Sequence, residues 1–114
     1  SRAKPHGSSF VAGAALAVVI CGDESRSDVW VEDCSIAAII LQLTAQSLGL
    51  GSCWVQIRKR AHSEEQSAEE YLRDVLELDE GLKVASIIAI GYPAEEKPAH
   101  SIESLERMKL EHAD

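Results

Sequence analysis

The chain has 114 residues, of which 46% are hydrophobic, 26% charged and only 4% aromatic. This length and composition are typical of one globular domain, and they exclude a disordered, collagen-like or multidomain chain. Eleven Lys and Arg against nineteen Asp and Glu give a net charge of −8. Because such a surface repels phosphate backbones and anionic lipids, we expect neither a nucleic-acid nor a membrane partner.

Cysteine and histidine usage limits the chemistry further. Cys21, Cys34 and Cys53 are an odd number without C-x-x-C spacing, which argues against a disulfide framework or a structural zinc site. We therefore expect free thiols in a reducing cytoplasm. His62 and His100 have no acidic or thiol partners at ligand spacing, so we expect them to be solvated loop residues and predict no metal site. The first nine residues hold no apolar stretch that could serve as a secretory signal.

The first apolar block, residues 14–20, is rich in β-branched residues and is followed by the turn residues Cys21, Gly22 and Asp23. This pattern predicts a strand that is buried on both faces.

A long helix is predicted over residues 29–48, with Ser27 or Asp28 as its N-cap and Gly49 ending it. Its apolar positions surround most of the circumference, and only one narrow polar line interrupts them. The apolar stripe is Ile36, Ala37, Ile40, Leu41, Ala45 and Leu48, widened by Ile39 and Leu43; the polar line is Ser35, Gln42 and Gln46. Such a helix must be covered on most sides, and a partner subunit would be one cover. The segment 36–50 is too short and too polar for a membrane span of roughly 20 apolar residues.

Two further strands and a second helix complete the prediction. A strand is expected at 52–57 and another at 82–90, the latter ending at Gly91, Tyr92 and Pro93. Ser67 and Glu70 have the spacing of a capping box, which opens a helix through Leu76, and the turn residues 79–81 are predicted to stop it. Beyond Pro93 the chain is polar, and Ile102, Leu105, Met108 and Leu110 form either one face of a short helix or a loosely packed arm.

Local signals for chemistry leave alternatives open. The G-x-G at residues 49–51 follows a helix and lacks a third glycine, so it is a helix cap and not a dinucleotide-binding loop. The basic run 58–60 is either a solvated loop or an anion site for a cofactor or substrate phosphate. Trp54 is explained by core packing or by a position beside a planar ring.

Three motifs in order carry a family resemblance. They are W-x-E-D at residues 30–33, G-L-G-S-C-W at 49–54 and G-Y-P-A-E-E-K at 91–97, and C-G-D follows the first predicted strand at 21–23. None of these motifs is specific alone, but their ordered combination closely resembles the C-terminal half of the FMN-dependent nitroreductase family. The match extends over most of the chain.

The resemblance implies an α+β fold with a central, mostly antiparallel sheet flanked by helices. The long apolar helix then packs across a homodimer interface, with FMN sites between the subunits. The implied reaction is an electron transfer in which NAD(P)H reduces the flavin, and a nitroaromatic, quinone or similar acceptor takes the electrons. The flavin supplies this chemistry, so no catalytic side chain is assigned.

In the family, the segment after G-L-G-S-C lies against the isoalloxazine ring; here that segment is Trp54, Val55, Gln56 and Ile57. A backbone donor at the N5 edge of the ring stabilises the negative charge that develops there and orients the ring.

A second implied contact is to the FMN phosphate. Lys97 matches the first position of the family's Lys-x-Arg pair, but Ala99 stands at the second and His100 follows. Phosphate binding through this arm is therefore expected to be weaker, or completed by Arg58 or Arg60.

The family's N-terminal motifs for the phosphate and the ring are absent from these residues, and residues 1–11 resemble the linker before its second strand. We therefore interpret residues 1–114 as a single-domain unit, the C-terminal portion of a nitroreductase-like domain, and as a processed or truncated chain. The alternative is a flavin-free remnant that acts as a dimerisation or binding module. A cysteine- or histidine-dependent enzyme is disfavoured because the required partner residues are missing.

Overall fold

The computed structural model describes residues 1–105 of the chain, and the predicted positions of Met108 and Leu110 lie outside the described residues. Three strands and two α-helices alternate along the chain, with a short 3-10 turn near each end. In chain order they are the turn Ser9–Gly13, β1 (Leu16–Asp23), α1 (Trp30–Ser47), β2 (Gly51–Gln56), α2 (Ala68–Leu76), β3 (Leu82–Gly91) and the turn Ile102–Ser104.

The sheet is antiparallel throughout, with β3 in the middle and β1 and β2 on either side. Of the three described strands, β3 is therefore the one buried on both faces, and seven consecutive residues of it, from Val84 to Ile90, are buried. Register shifts between Ile20 and Cys21, where a bulge lets Cys21 pair with Val84. The predicted α+β architecture with an antiparallel sheet between helices is confirmed.

The two faces of the sheet carry separate cores. On the α1 face, Ile88 and Ile90 pack with Ala38 and Ala45. On the α2 face, the buried set is Val55, Ile57, Ala68, Leu72, Val84 and Ile87, together with Ala3 from the start of the chain. Because β2 and β3 contribute to both cores, a change in either strand reaches both sides of the sheet.

Two local predictions are wrong. The β1 strand is not buried on both faces: its first two residues are exposed and the rest half-buried, because β1 is an edge strand among the described residues. The N-cap of α1 is Val29, which makes no side-chain cap, whereas Ser27 Oγ donates to the Asp33 carboxylate at 2.8 Å. The Ser27 side chain therefore acts on the first turn of the helix without capping it.

The capping box of α2 is confirmed in full. Ser67 Oγ accepts from the Glu70 N–H at 3.1 Å, and the Glu70 carboxylate accepts from the Ser67 N–H at 2.9 Å. At the other end α2 finishes at Leu76, with Glu77 in the left-handed region at φ 51°, before the predicted stop at residues 79–81. Gly49 has φ +75° after α1, the conformation for which glycine ends helices.

Within residues 1–105, no helix is both long and apolar enough to cross a membrane.

Candidate functional site

One edge of the sheet lies open at β2. The pairs run from Gly51 with Gly91 to Gln56 with Ser86, and the next pair is closed by the Ile57 N–H donating to the Ala85 carbonyl at 3.3 Å. Hydrogen-bonded pairs alternate along antiparallel strands, so residues 51, 53, 55 and 57 turn their peptide groups toward β3. The N–H and C=O groups of Ser52, Trp54 and Gln56 consequently point away from the sheet. Within residues 1–105, β2 pairs with no other strand.

The four residues predicted to lie against a flavin ring are thus divided into two pairs. Val55 and Ile57 are almost wholly buried in the α2-side core. Trp54 and Gln56 are half-buried and extend over the α1 face, where Trp54 packs against the core beneath α1. The open edge of β2, defined by the outward peptide groups of Ser52, Trp54 and Gln56, offers backbone donors and acceptors to a ligand.

The side chains along this face of β2 are held by hydrogen bonds within the strand. Trp54 Nε1 donates to Gln56 Oε1 at 3.0 Å, and Gln56 Nε2 donates to the Arg58 carbonyl at 2.8 Å. Nearer the start of the strand, Gln42 Nε2 donates from α1 to Ser52 Oγ at 3.3 Å. Nothing in the residue pattern predicted that glutamine amides would fasten this strand.

The basic run 58–60 is divided by the fold. The Arg58 guanidinium lies 5.9 Å from the centroid of the Trp30 ring, a cation–π distance that joins the end of β2 to the start of α1. Lys59 and Arg60 are both exposed, and the backbone of Lys59 is in the left-handed region with φ 58°. Both line a cavity of about 400 Å³ that also contains Glu64 and Glu65. Because its lining carries both signs of charge, this cavity is a weak anion site.

Lys97 lies near the beginning of β2. It is exposed, and its Nζ is 3.5 Å from the Glu95 carboxylate. With the end of α1 it lines a cavity of about 720 Å³ that contains Gly51 and Ser52 but none of the residues 54–57. The structure therefore brings Lys97 to one end of the open edge of β2 and leaves Arg58 at the other.

The three thiols occupy different environments. Cys34 is buried with its Sγ against Gly22, and burial raises the pKa of this thiol. Cys21 packs into the α2-side core, and its pKa is raised by burial first and then by Cys34 and Glu69. Cys53 is exposed and lines a cavity of about 710 Å³ with Phe10 and Tyr92. All three are free, and no cluster of potential metal ligands occurs among residues 1–105.

The outer face of α1 is strongly apolar, and nothing in residues 1–105 covers it. Five large side chains on it are about half or more exposed, from 48% for Ile39 to 70% for Leu48; the others are Ile36, Ile40 and Leu43. The sheet takes the small residues of the helix instead, with Cys34, Ala38 and Ala45 buried. The prediction of apolar residues around most of the helix is confirmed, and the largest of them face outward.

His62 does not lie in solvent as its loop position predicted. Its ring stacks on Tyr71 with centroids 3.9 Å apart and an angle of 17° between the planes. Its Nδ1 is 3.1 Å from the carbonyl of Ala3. This contact ties the start of the chain to the loop before α2 and spans 59 residues, so no local pattern could have revealed it.

Comparison with known proteins gives these features a context. A sequence model described as the Nitroreductase family matches residues 2–92. Two curated relatives carry the name "Putative NADH dehydrogenase/NAD(P)H nitroreductase". The one from Archaeoglobus fulgidus is 39% identical over 88 residues, which cover 74% of this chain and 48% of that protein. The one from Methanothermobacter thermautotrophicus is 33% identical over 110 residues, which cover 94% of this chain and 54% of that protein. The chain thus spans about half the length of these relatives.

A solved structure agrees closely in fold. It is described as an FMN-dependent nitroreductase from Clostridium difficile R20291 and is 41% identical in sequence, with a TM-score of 0.94. The superposition covers all of this chain and 66% of that protein. The three strands and two α-helices therefore have the arrangement of a nitroreductase-like fold.

Proposed function

Because the chain belongs to the nitroreductase family, we propose that it is the C-terminal portion of an FMN-dependent oxidoreductase. The proposed reaction transfers electrons from NAD(P)H to nitroaromatic, quinone or similar small-molecule acceptors. The observation that carries the proposal is the open edge of β2, where peptide groups at the family's flavin-facing segment point away from the sheet.

The residues present fit a flavin in one definite respect. An isoalloxazine ring needs donors along one edge and a nonpolar surface beside it, and the open edge of β2 has peptide donors at Trp54 and Gln56 next to an indole. When bound, FMN would supply the hydride and electron transfer between NAD(P)H and the acceptor, and the protein would supply binding and orientation. In this proposal the outward peptide N–H groups of Trp54 and Gln56 would donate to one edge of the ring, where they would stabilise the negative charge of the reduced form and fix the orientation of the ring.

Val55 and Ile57 have a supporting role in this proposal. Their peptide groups face β3 and their side chains lie in the core, so they fix the position of the strand that carries Trp54 and Gln56. We place the FMN phosphate near Lys97, whose ammonium group is exposed and, among residues 1–105, forms an ion pair with Glu95 alone. Arg58 and Arg60 are the remaining candidates from the sequence, and Arg58 is already engaged by Trp30.

The same proposal makes the protein a homodimer. The exposed isoleucine and leucine side chains of α1 form a continuous apolar surface, and its exposure to water is unfavourable. The same apolar surface on a second copy of α1 would bury it. The free thiols support a reducing cytoplasm as its location.

The test is the visible absorption of the protein expressed from the complete open reading frame that encodes these residues. We expect a yellow protein with a flavin band that NADH or NADPH bleaches under anaerobic conditions. A colourless protein that stays colourless after incubation with FMN and gel filtration would favour the flavin-free dimerisation module instead.

A further inference from the structure

A glutamine amide lies in the middle of the face of β2 that carries the half-buried side chains. Gln56 accepts from the Trp54 indole N–H at 3.0 Å and donates to the Arg58 carbonyl at 2.8 Å. The three residues are two apart, so their side chains share one face of the strand. We call this pair of hydrogen bonds the Gln56 latch.

Both ends of the Gln56 latch are anchored to α1. The Trp54 ring packs against the core that Ala38 and Ala45 form beneath the helix. At the other end the Arg58 guanidinium lies over Trp30, the first residue of α1, at 5.9 Å from the ring centroid. The latch therefore fixes the second half of β2 with respect to the longest helix of the fold.

This anchoring matters because β2, in the part of the chain that the structure describes, has a partner strand on only one side. An edge strand keeps its outward peptide groups in register through its single ladder and through its side chains. Beyond Gln56 the ladder becomes irregular, since the N–H groups of both Ile57 and Arg58 donate to the Ala85 carbonyl. The Gln56 latch spans this irregular end, from the Trp54 indole to the Arg58 carbonyl.

We propose that Gln56 is a positioning residue, whose side-chain amide holds the outward peptide groups of Trp54 and Gln56 in the geometry that binds a flavin ring. The inference rests on the proposed flavin site. It goes beyond that site because the strength of the hydrogen bonds from the peptide groups to the ring is attributed to the Gln56 side chain, which acts through the strand and not by contact with the ring. If the latch is lost, the peptide N–H groups of Trp54 and Gln56 point less directly at the ring. Their hydrogen bonds to the reduced flavin are then weaker.

The first test uses the apoprotein and needs no flavin. Gln56→Met keeps the length of the side chain and removes both hydrogen bonds. In the proton NMR spectrum we expect the Trp54 indole N–H to exchange with solvent faster, by tenfold or more, while the exchange rate of the Trp30 indole N–H, which takes no part in the latch, stays unchanged. An unchanged exchange rate of the Trp54 indole N–H would overturn the latch itself.

The second test is the two-electron reduction potential of bound FMN in the complete protein. We expect Gln56→Met to lower the equilibrium constant for reduction about tenfold, which corresponds to a shift of about 30 mV to a more negative potential. Trp54→Phe keeps the aromatic packing and removes the indole donor, so we expect a smaller shift in the same direction. It also serves if Gln56→Met does not fold.

The control is Gln66→Leu, which removes a similar amide hydrogen bond, from Gln66 Nε2 to Asp74 at 3.0 Å, away from β2. We expect it to leave the potential unchanged. If the wild-type protein binds no FMN, the proposed function fails and the inference fails with it. If the wild-type protein is yellow and Gln56→Met has the wild-type potential, the inference alone is wrong.

Discussion

Gly22 lies where β1 passes beneath the start of α1. A Cβ at this position would be 3.0 Å from both Cys34 Sγ and Trp30 Cε3. The buried thiol and the indole ring at the start of α1 would have to shift by a few tenths of an ångström to admit a side chain, so glycine at residue 22 lets the helix lie close to the sheet.

Gly22→Ala is therefore expected to destabilise the protein by about 1–3 kcal/mol, the usual effect of overpacking a well-filled interior. Chemical denaturation measures this change. Gly13→Ala is the matched control, because a Cβ at residue 13 has no atom within 4 Å. Equal unfolding midpoints for the two variants would show that the contact with α1 is not tight.

Lys97 tests the proposed phosphate contact. Lys97→Ala in the complete protein is expected to weaken FMN binding about tenfold or more, since a hydrogen bond to a charged group contributes about 1.5–3 kcal/mol. Fluorescence titration of the apoprotein with FMN measures the dissociation constant. Lys4→Ala removes an equal charge elsewhere and is expected to have no effect. An unchanged constant for Lys97→Ala would remove Lys97 from the site.

Glu70 gives the stability of α2 a pH dependence. Hydrogen bonds from the Ser67 N–H, and then from its side chain, lower the pKa of the Glu70 carboxyl below its ordinary value. A carboxylate with a lowered pKa in the folded state contributes stability above its unfolded-state pKa, and this contribution disappears as the pH falls through the folded-state pKa.

Glu70→Ala is therefore expected to be less stable than the wild type at pH 7, and the difference should shrink on acidification below the ordinary range of glutamate pKa values. Ser67→Ala should cost about 1 kcal/mol, as the loss of an N-cap does. Thermal melts over a series of pH values measure both effects. Glu65→Ala, which changes an exposed glutamate outside the capping box, serves as the control; a difference for Glu70→Ala that stays constant with pH would contradict the linkage.

Among the helices and strands, the features that depend on neighbouring residues were predicted correctly. The capping box at Ser67 and the left-handed Gly49 depend on neighbours in sequence, and both are found as predicted. The burial of β1 was predicted wrongly, because an apolar run is the same whether its strand lies in the middle or at the edge of a sheet. The sheet order, with the last strand at the centre, depends on pairings distant in sequence.

The α1 helix was likewise predicted correctly in one respect and not in another. Its apolar circumference was predicted, but the side that faces the sheet was not, since the helix presents small residues to β3 and large ones outward. Close packing of a helix on a sheet favours small side chains at the contact, and this preference is invisible to a pattern that scores only hydrophobicity.

Ile40→Asp tests the proposed role of this outer face. Ile40 is 57% exposed, so the change leaves the sheet-side core intact. We expect the complete protein to change from dimer to monomer in sedimentation velocity, because a charge buried in an apolar interface without a partner is costly. Val75→Asp, at a similarly exposed position on α2, is the control and should remain dimeric. Intact dimers of the Ile40 variant would contradict the assignment of α1 to the interface.

At the scale of the whole molecule, the sequence motifs predicted the family and the fold, and the candidate site only in outline. The segment 54–57 was identified by resemblance, and the structure adds that the peptide groups of Trp54 and Gln56 alone face outward. The alternation follows from the register with β3, which the sequence does not specify. The Gln56 latch was not predicted, because it requires the side-chain conformations of three residues at once.

The chain covers 66% of the solved nitroreductase and about half of the curated relatives. Three surfaces of the described residues are exposed although they are apolar or carry unpaired peptide groups. They are the outer face of α1, the open edge of β2 and the cavity of about 710 Å³ beside Phe10 and Tyr92. We propose that a second subunit and the remainder of a nitroreductase-like domain cover these surfaces.

The proposed flavin site is tested most directly by the flavin content of the purified protein expressed from the complete open reading frame. We expect close to one FMN per subunit, a visible flavin spectrum and anaerobic bleaching by NADH or NADPH. A protein that is folded and dimeric, yet neither contains FMN nor takes it up from solution, would contradict the proposal that it is an FMN-dependent oxidoreductase.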